Sequence, residues 1–137
     1  MAAQIATGAV HHLRLTVSDM DRAREFYTSV LGFQVAMEIP PIVLLSNGTG
    51  LLALGPAPDP SRATSGDRFD ENRVGLDHLA FSVASRDELE RAVRVLDERG
   101  VAHGQITDFK PIYGLEFYSL FFRDPDNIQL ELIAPHS

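Results

Sequence analysis

One pattern of residues occurs twice along this chain, and a duplication constrains a fold more than any single motif does. In the first copy, Leu13, Leu15 and Val17 alternate with His12, Arg14 and Thr16, the period of a strand with one buried face. Asp19 follows where a helix cap belongs. Met20, Ala23, Phe26, Tyr27, Val30 and Leu31 then recur at helical spacing up to Gly32, a stop signal. In the second copy, Leu79, Phe81 and Val83 alternate with His78, Ala80 and Ser82. Ser85 and Glu88 form a capping box, Leu89, Ala92, Val93 and Leu96 make the stripe, and Gly100 ends it. His78 follows His12, and Ser85 follows Asp19, by the same 66 residues.

Three strand-like runs complete each copy, over residues 33–39, 42–46 and 51–54 and again over 101–106, 117–123 and 128–133. Asn47-Gly48 is a hairpin signal, and the run from Asp124 to Asn127 is a turn. The pattern predicts an α+β fold: paired βαβββ modules over about residues 8–56 and 74–135, forming a cupped mixed sheet with helices on the convex face. Residues 57–73, rich in Pro, Ser, Asp and Arg, read as a connecting loop, with a lid as the less favoured alternative.

The three strands that pack on helices each carry a polar residue on the face away from their apolar set. These are His12, His78 and Glu131. Two imidazoles and a carboxylate are the donor set of an open divalent-metal site. A carboxylate buried there without a partner costs several kcal/mol, roughly, and a cation offsets that cost. The resulting expectation is a metal-dependent enzyme. Arg14, on the same face as His12, is a candidate to hold an anionic substrate group, or else to pair with a neighbouring acid. Gln129 is a candidate to orient a ligand, or else a solvated strand residue. His11 breaks both the alternation and the repeat offset, and His103 and His136 lie outside the repeated positions, so none of them is expected as a ligand.

Composition narrows the partners. The net charge of −7, without a Lys/Arg cluster, argues against nucleic acid. No apolar run approaches the roughly 20 residues that span a bilayer, and the first residues do not read as a signal peptide. The absence of cysteine excludes thiolate chemistry and disulfides, and is compatible with a cytoplasmic protein.

Taken together, the segments His12-Leu-Arg-Leu-Thr-Val-Ser-Asp19, Phe26-Tyr27 with Leu31-Gly32-Phe33, Leu76-Asp-His78-Leu-Ala-Phe, and Phe122-Arg-Asp-Pro-Asp-Asn-Ile-Gln-Leu-Glu131-Leu resemble the vicinal oxygen chelate superfamily. Glyoxalase I, extradiol dioxygenases, fosfomycin-modifying enzymes and bleomycin-resistance proteins belong to it. The resemblance implies metal ligands at His12, His78 and Glu131, with Fe, Mn, Ni, Co or Zn as the ion. It implies a small oxygenated substrate chelated through two oxygens, in a dioxygenase-, lyase- or isomerase-like reaction. It also implies a homodimer, with ligands drawn from both subunits in some members. The departures matter as much. Ala53 stands where glyoxalase I and epimerases use a fourth ligand, and Phe121 where other subfamilies place a tyrosine. Phe121 is thus a substrate-side candidate, and Tyr113 and Tyr118 are candidates for an acid–base role. The alternative function is a metal-free protein that sequesters a drug or metabolite, as bleomycin-resistance proteins do.

Overall fold

The computed structural model describes residues 2–136 and has the α+β architecture anticipated, with two four-stranded mixed sheets and few helices. The described chain divides into two compact units, one ending at Arg62 and the other beginning at Ala63. None of its helices is long and apolar enough to cross a membrane.

In the first unit, β1 (His12–Thr16) leads into α1 (Met20–Ser29), and β2 (Gln34–Ile39), β3 (Ile42–Ser46) and β4 (Leu51–Gly55) follow. The helix starts where Asp19 accepts a hydrogen bond from the Arg22 amide. Gly32 takes a positive φ of 74°, which suits a residue without Cβ just past a helix end. Ala23, Phe26 and Tyr27 are the buried part of the helical stripe, and Tyr27 meets Phe33 edge to face. Strand order is β1-β4-β3-β2, with β1 parallel to β4 and the other pairs antiparallel. Alternation holds on β1: Leu15 and Val17 are buried, whereas His12, Arg14 and Thr16 are exposed. At the hairpin signal, Asn47 Oδ1 accepts from the amides of Thr49 and Gly50, and the β3–β4 connection closes over residues 47–50.

The second unit repeats the scheme with β5 (Leu79–Ser82), α2 (Arg86–Glu98), β6 (Thr107–Asp108), a short α3 (Lys110–Tyr113), β7 (Phe117–Arg123) and β8 (Gln129–Pro135). Its order is β5-β8-β7-β6, again with one parallel pair, β5 on β8. Ser85 caps α2 by accepting from the Glu88 amide. Leu89 and Leu96 bury its stripe, with Ala92 and Val93 half-buried. The register proves the two copies equivalent. Arg14 pairs with Ala53 on β1–β4, and Ala80, the residue 66 places after Arg14, pairs with Glu131 on β5–β8.

Two expectations are corrected. Residues 101–106 do not form a full strand. They contribute one isolated bridge, His103 to Phe122, and pairing resumes only at β6. His103 here turns its ring to the carbonyl of Gly104 and the carboxylate of Asp97, so side-chain anchoring replaces a ladder. The segment before β5 is also more than a connection. A 3-10 turn occupies Pro60–Arg62. Beyond it, residues 69–71 dock on the β7–β8 turn. The Phe69 amide donates to the Asp126 carbonyl at 2.9 Å, Asn127 Nδ2 donates to the Phe69 carbonyl at 3.0 Å, and Arg123 grips Glu71 through both carboxylate oxygens.

Candidate metal and substrate site

Two of the three expected donors meet in the second unit. His78 immediately precedes β5 and Glu131 lies on β8. His78 Nε2 stands 3.1 Å from Glu131 Oε1. Glu131 is only 4% exposed, so its charge requires partners. Its other oxygen, Oε2, accepts a 2.5 Å hydrogen bond from Ser119 Oγ on β7. Strand register explains the meeting. Ser119 and Phe121 alternate onto the β7 face that Glu131 shares, Phe121 is the direct cross-strand neighbour of Glu131, and its ring packs edge-on against His78 at 5.4 Å.

The far side of the imidazole is held too. His78 Nδ1 lies 2.8 Å from Asp77 Oδ1. A carboxylate offers no proton, so the ring proton is on Nδ1. Nε2 faces a second carboxylate oxygen, Glu131 Oε1, and the contact is closed either by a second ring proton or by a cation that takes its place. This donor set fits a divalent ion: an imidazole nitrogen and a carboxylate oxygen side by side, each residue steadied from behind by a hydrogen bond. Asp77 and Ser119 were not anticipated. Ser119 was discernible as the one hydroxyl within the strand text Phe117–Arg123 that alternation aims at Glu131's face, apart from the outward Tyr118.

His12, the third expected donor, is the first residue of β1 in the first unit, exposed, with its Nδ1 2.9 Å from that of His11. Among the described residues no group of three His, Asp or Glu side chains is assembled as a ready cluster. Arg14 is committed elsewhere than to an acid. Its Nη2 donates to the Pro56 carbonyl at 2.9 Å, and the guanidinium lies on Gly55, where an added Cβ would come within 2.5 Å of Nη2. Gln129 is half-buried and hydrogen-bonded into a network. Its Nε2 donates to the carbonyl and to Oδ1 of Asp77, at 3.2 and 3.1 Å.

The tyrosine expectations change. Tyr118 alternates onto the α2 side of β7, where its ring lies between His136, stacked at 4.5 Å, and the Arg86 guanidinium at 4.9 Å. That is the face opposite Glu131, so an acid–base role for it at this site is withdrawn. Tyr113 lies on α3, 67% exposed, edge-on to Phe109.

A duplicated βαβββ protein, with an imidazole and a buried carboxylate converging on one face of the second sheet, defines the structural class. The chain belongs to the Glyoxalase/Bleomycin resistance protein/Dioxygenase superfamily, whose family profile matches residues 9–132. It is similar to the uncharacterized protein YwkD of Bacillus subtilis (strain 168), 37% identical over 132 residues that cover 90% of this chain and 94% of that one. The uncharacterized YaeR of Escherichia coli (strain K12) is 32% identical over 130 residues, covering 90% and 93%. Among solved structures, a glyoxylase/bleomycin resistance protein/dioxygenase domain from Frankia sp. EAN1pec superposes with a TM-score of 0.76 at 28% identity, covering 95% of this chain and 93% of that one.

Proposed function

We propose that the chain is a metal-dependent enzyme of this superfamily, with His12, His78 and Glu131 as ligands and a small oxygenated molecule as substrate. The observation that carries the reading is the pairing of His78 Nε2 with buried Glu131 Oε1, an imidazole nitrogen and a carboxylate oxygen set side by side by the partners behind them. His12 enters on the repeat, as the residue 66 positions before His78 at the same place in its module. When bound, the ion supplies Lewis acidity toward two substrate oxygens. The chain's own residues do the rest. Asp77 fixes the His78 ring, Ser119 ties back one Glu131 oxygen and leaves the other forward, and Phe121 supplies an apolar wall beside the imidazole. Ala53, buried at the position equivalent to Glu131, offers no further donor, so the reading leaves coordination positions for substrate and water.

The test is metal analysis after reconstitution with Fe(II), Mn(II), Ni(II), Co(II) and Zn(II) in turn. The native chain retains an ion through gel filtration, and His78→Ala, Glu131→Gln and His12→Ala lose it. Equal metal content in native and His78→Ala protein overturns the reading. No retained ion, together with tight binding of an aromatic or cationic ligand, establishes the sequestration alternative instead.

A further inference from the structure

The contacts around His78 continue well past Asp77. Arg123 on β7 donates to both oxygens of Glu71, at 2.8 and 2.9 Å, and through Nη2 to Gln129 Oε1 at 3.3 Å. Gln129 in turn donates to Asp77, which accepts from His78 Nδ1. The order of groups leaves no freedom of direction. A guanidinium only donates, so it must face the amide oxygen of Gln129. A carboxylate only accepts, so Asp77 must face the amide NH₂. Asp77 Oδ1 is thereby an acceptor for Gln129 and for His78 at once. Of the neutral side chains, an amide such as Gln129 suits this place, with an acceptor at one corner and a donor at the other. The series ends at the imidazole, whose only open nitrogen faces Glu131.

We propose that Glu71, Arg123, Gln129 and Asp77 form a hydrogen-bond chain of fixed donors and acceptors that sets the tautomer and ring orientation of His78, so that docking of the segment around Glu71 tunes the ion affinity of the site. The proposal rests on the metal reading for its second half only; the control of the tautomer stands without it. These four are positioning residues, since none is placed to touch substrate. Glu71 is 52 residues from Arg123 in sequence and belongs to the segment that precedes the second module's first strand. A loop contact is thus transmitted to His78 through three intervening side chains.

The experiment compares native protein with Gln129→Leu, Glu71→Gln and His78→Ala, each confirmed folded by circular dichroism. The first readout, on metal-free protein at about pH 8.5, where a free imidazole is neutral, is the ¹⁵N shift pattern of the His78 ring. Native protein shows Nδ1–H as the dominant form, and Gln129→Leu and Glu71→Gln shift the population toward Nε2–H. The second readout is calorimetric titration with Zn²⁺ alone. Gln129→Leu weakens binding by about 10- to 100-fold, as loss of a partner behind a ligand does. Glu71→Gln, at the far end, weakens it by about 2- to 30-fold. Native tautomer and native Zn²⁺ affinity in both variants overturn the proposal, while loss of Zn²⁺ binding in His78→Ala keeps the metal reading intact. Undiminished Zn²⁺ binding in His78→Ala removes the metal reading, and the tautomer shift then decides the positioning chain by itself.

Discussion

At His103 both ring nitrogens meet acceptors. Nδ1 lies 2.6 Å from the Gly104 carbonyl and Nε2 lies 2.7 Å from Asp97 Oδ1. An imidazole has two N–H groups only when protonated, so the fold favours the cation. The pKa is raised above its ordinary 6.5, first by the Gly104 carbonyl and then by Asp97, against the opposing effect of burial. A raised folded-state pKa contributes stability that is complete below the unfolded value near 6.5 and is lost as pH rises through the folded value. The expected outcome is a gap in melting temperature between native protein and His103→Gln that is widest in mild acid and narrows toward alkaline pH. A gap of constant size across that range would show that the charge of His103 contributes nothing. At this scale the candidate site was partly legible. Alternation placed His78 and Glu131 on the polar faces of their strands, and the contact between them follows from that placement. Asp77 and Ser119 escaped for different reasons. Asp77 acts on its sequence neighbour by turning back outside the strand, where no period applies. The role of Ser119 depends on the β7–β8 register, which pairs it with Ile133 and brings its hydroxyl to Glu131.

Among the elements, the helices were the most legible, because each carries its own start and stop. Asp19 and Ser85 cap as their side-chain chemistry requires, and Ser85→Ala is expected to cost about 1 kcal/mol in denaturant unfolding. The strand expected over 101–106 failed for want of such local signals: a strand-like stretch alone does not reveal that side-chain bonds of His103 will anchor it. The docked segment around Glu71 was read as a linker because its anchors lie in the β7–β8 turn, far along the chain. Hydrogen bonds from Arg123 depress the Glu71 carboxyl from 4.5 to about 2. A depressed folded-state pKa contributes stability that is present above 4.5 and lost as pH falls toward 2. Protection of the Phe69 amide, whose N–H donates to Asp126, is therefore expected to fall, relative to its intrinsic exchange rate, over that acid window in native protein. In Glu71→Gln the amide exchanges faster already near neutral pH and gains no further step in acid. An unchanged rate at Phe69 in the variant would separate docking from the Glu71–Arg123 pair.

Across the whole molecule, the two copies of the module have diverged in a reciprocal way. Copy one carries the large Arg14 on its first strand opposite the small Ala53, and copy two carries the small Ala80 opposite Glu131. In copy one the long side chain lies over Gly55 and ends on the Pro56 carbonyl. In copy two the acid turns to Ser119 and His78. One copy thus carries an arginine anchor and the other a buried acid, while both carry a histidine at the head of the module. In the proposed reading an ion draws donors from both copies, and its binding is a whole-molecule stabilisation. A ligand that binds only the folded state at 100 times its Kd stabilises by about 2.7 kcal/mol, a rise of several degrees in melting temperature for a chain of this length. Zn²⁺ is expected to raise the melting temperature of native protein by that amount, and His12→Ala is expected to abolish the rise as completely as His78→Ala does. If His12→Ala retains the full rise while His78→Ala loses it, the ion is held by the second module alone, and the conserved spacing of the two histidines is a relic of duplication without a shared ion.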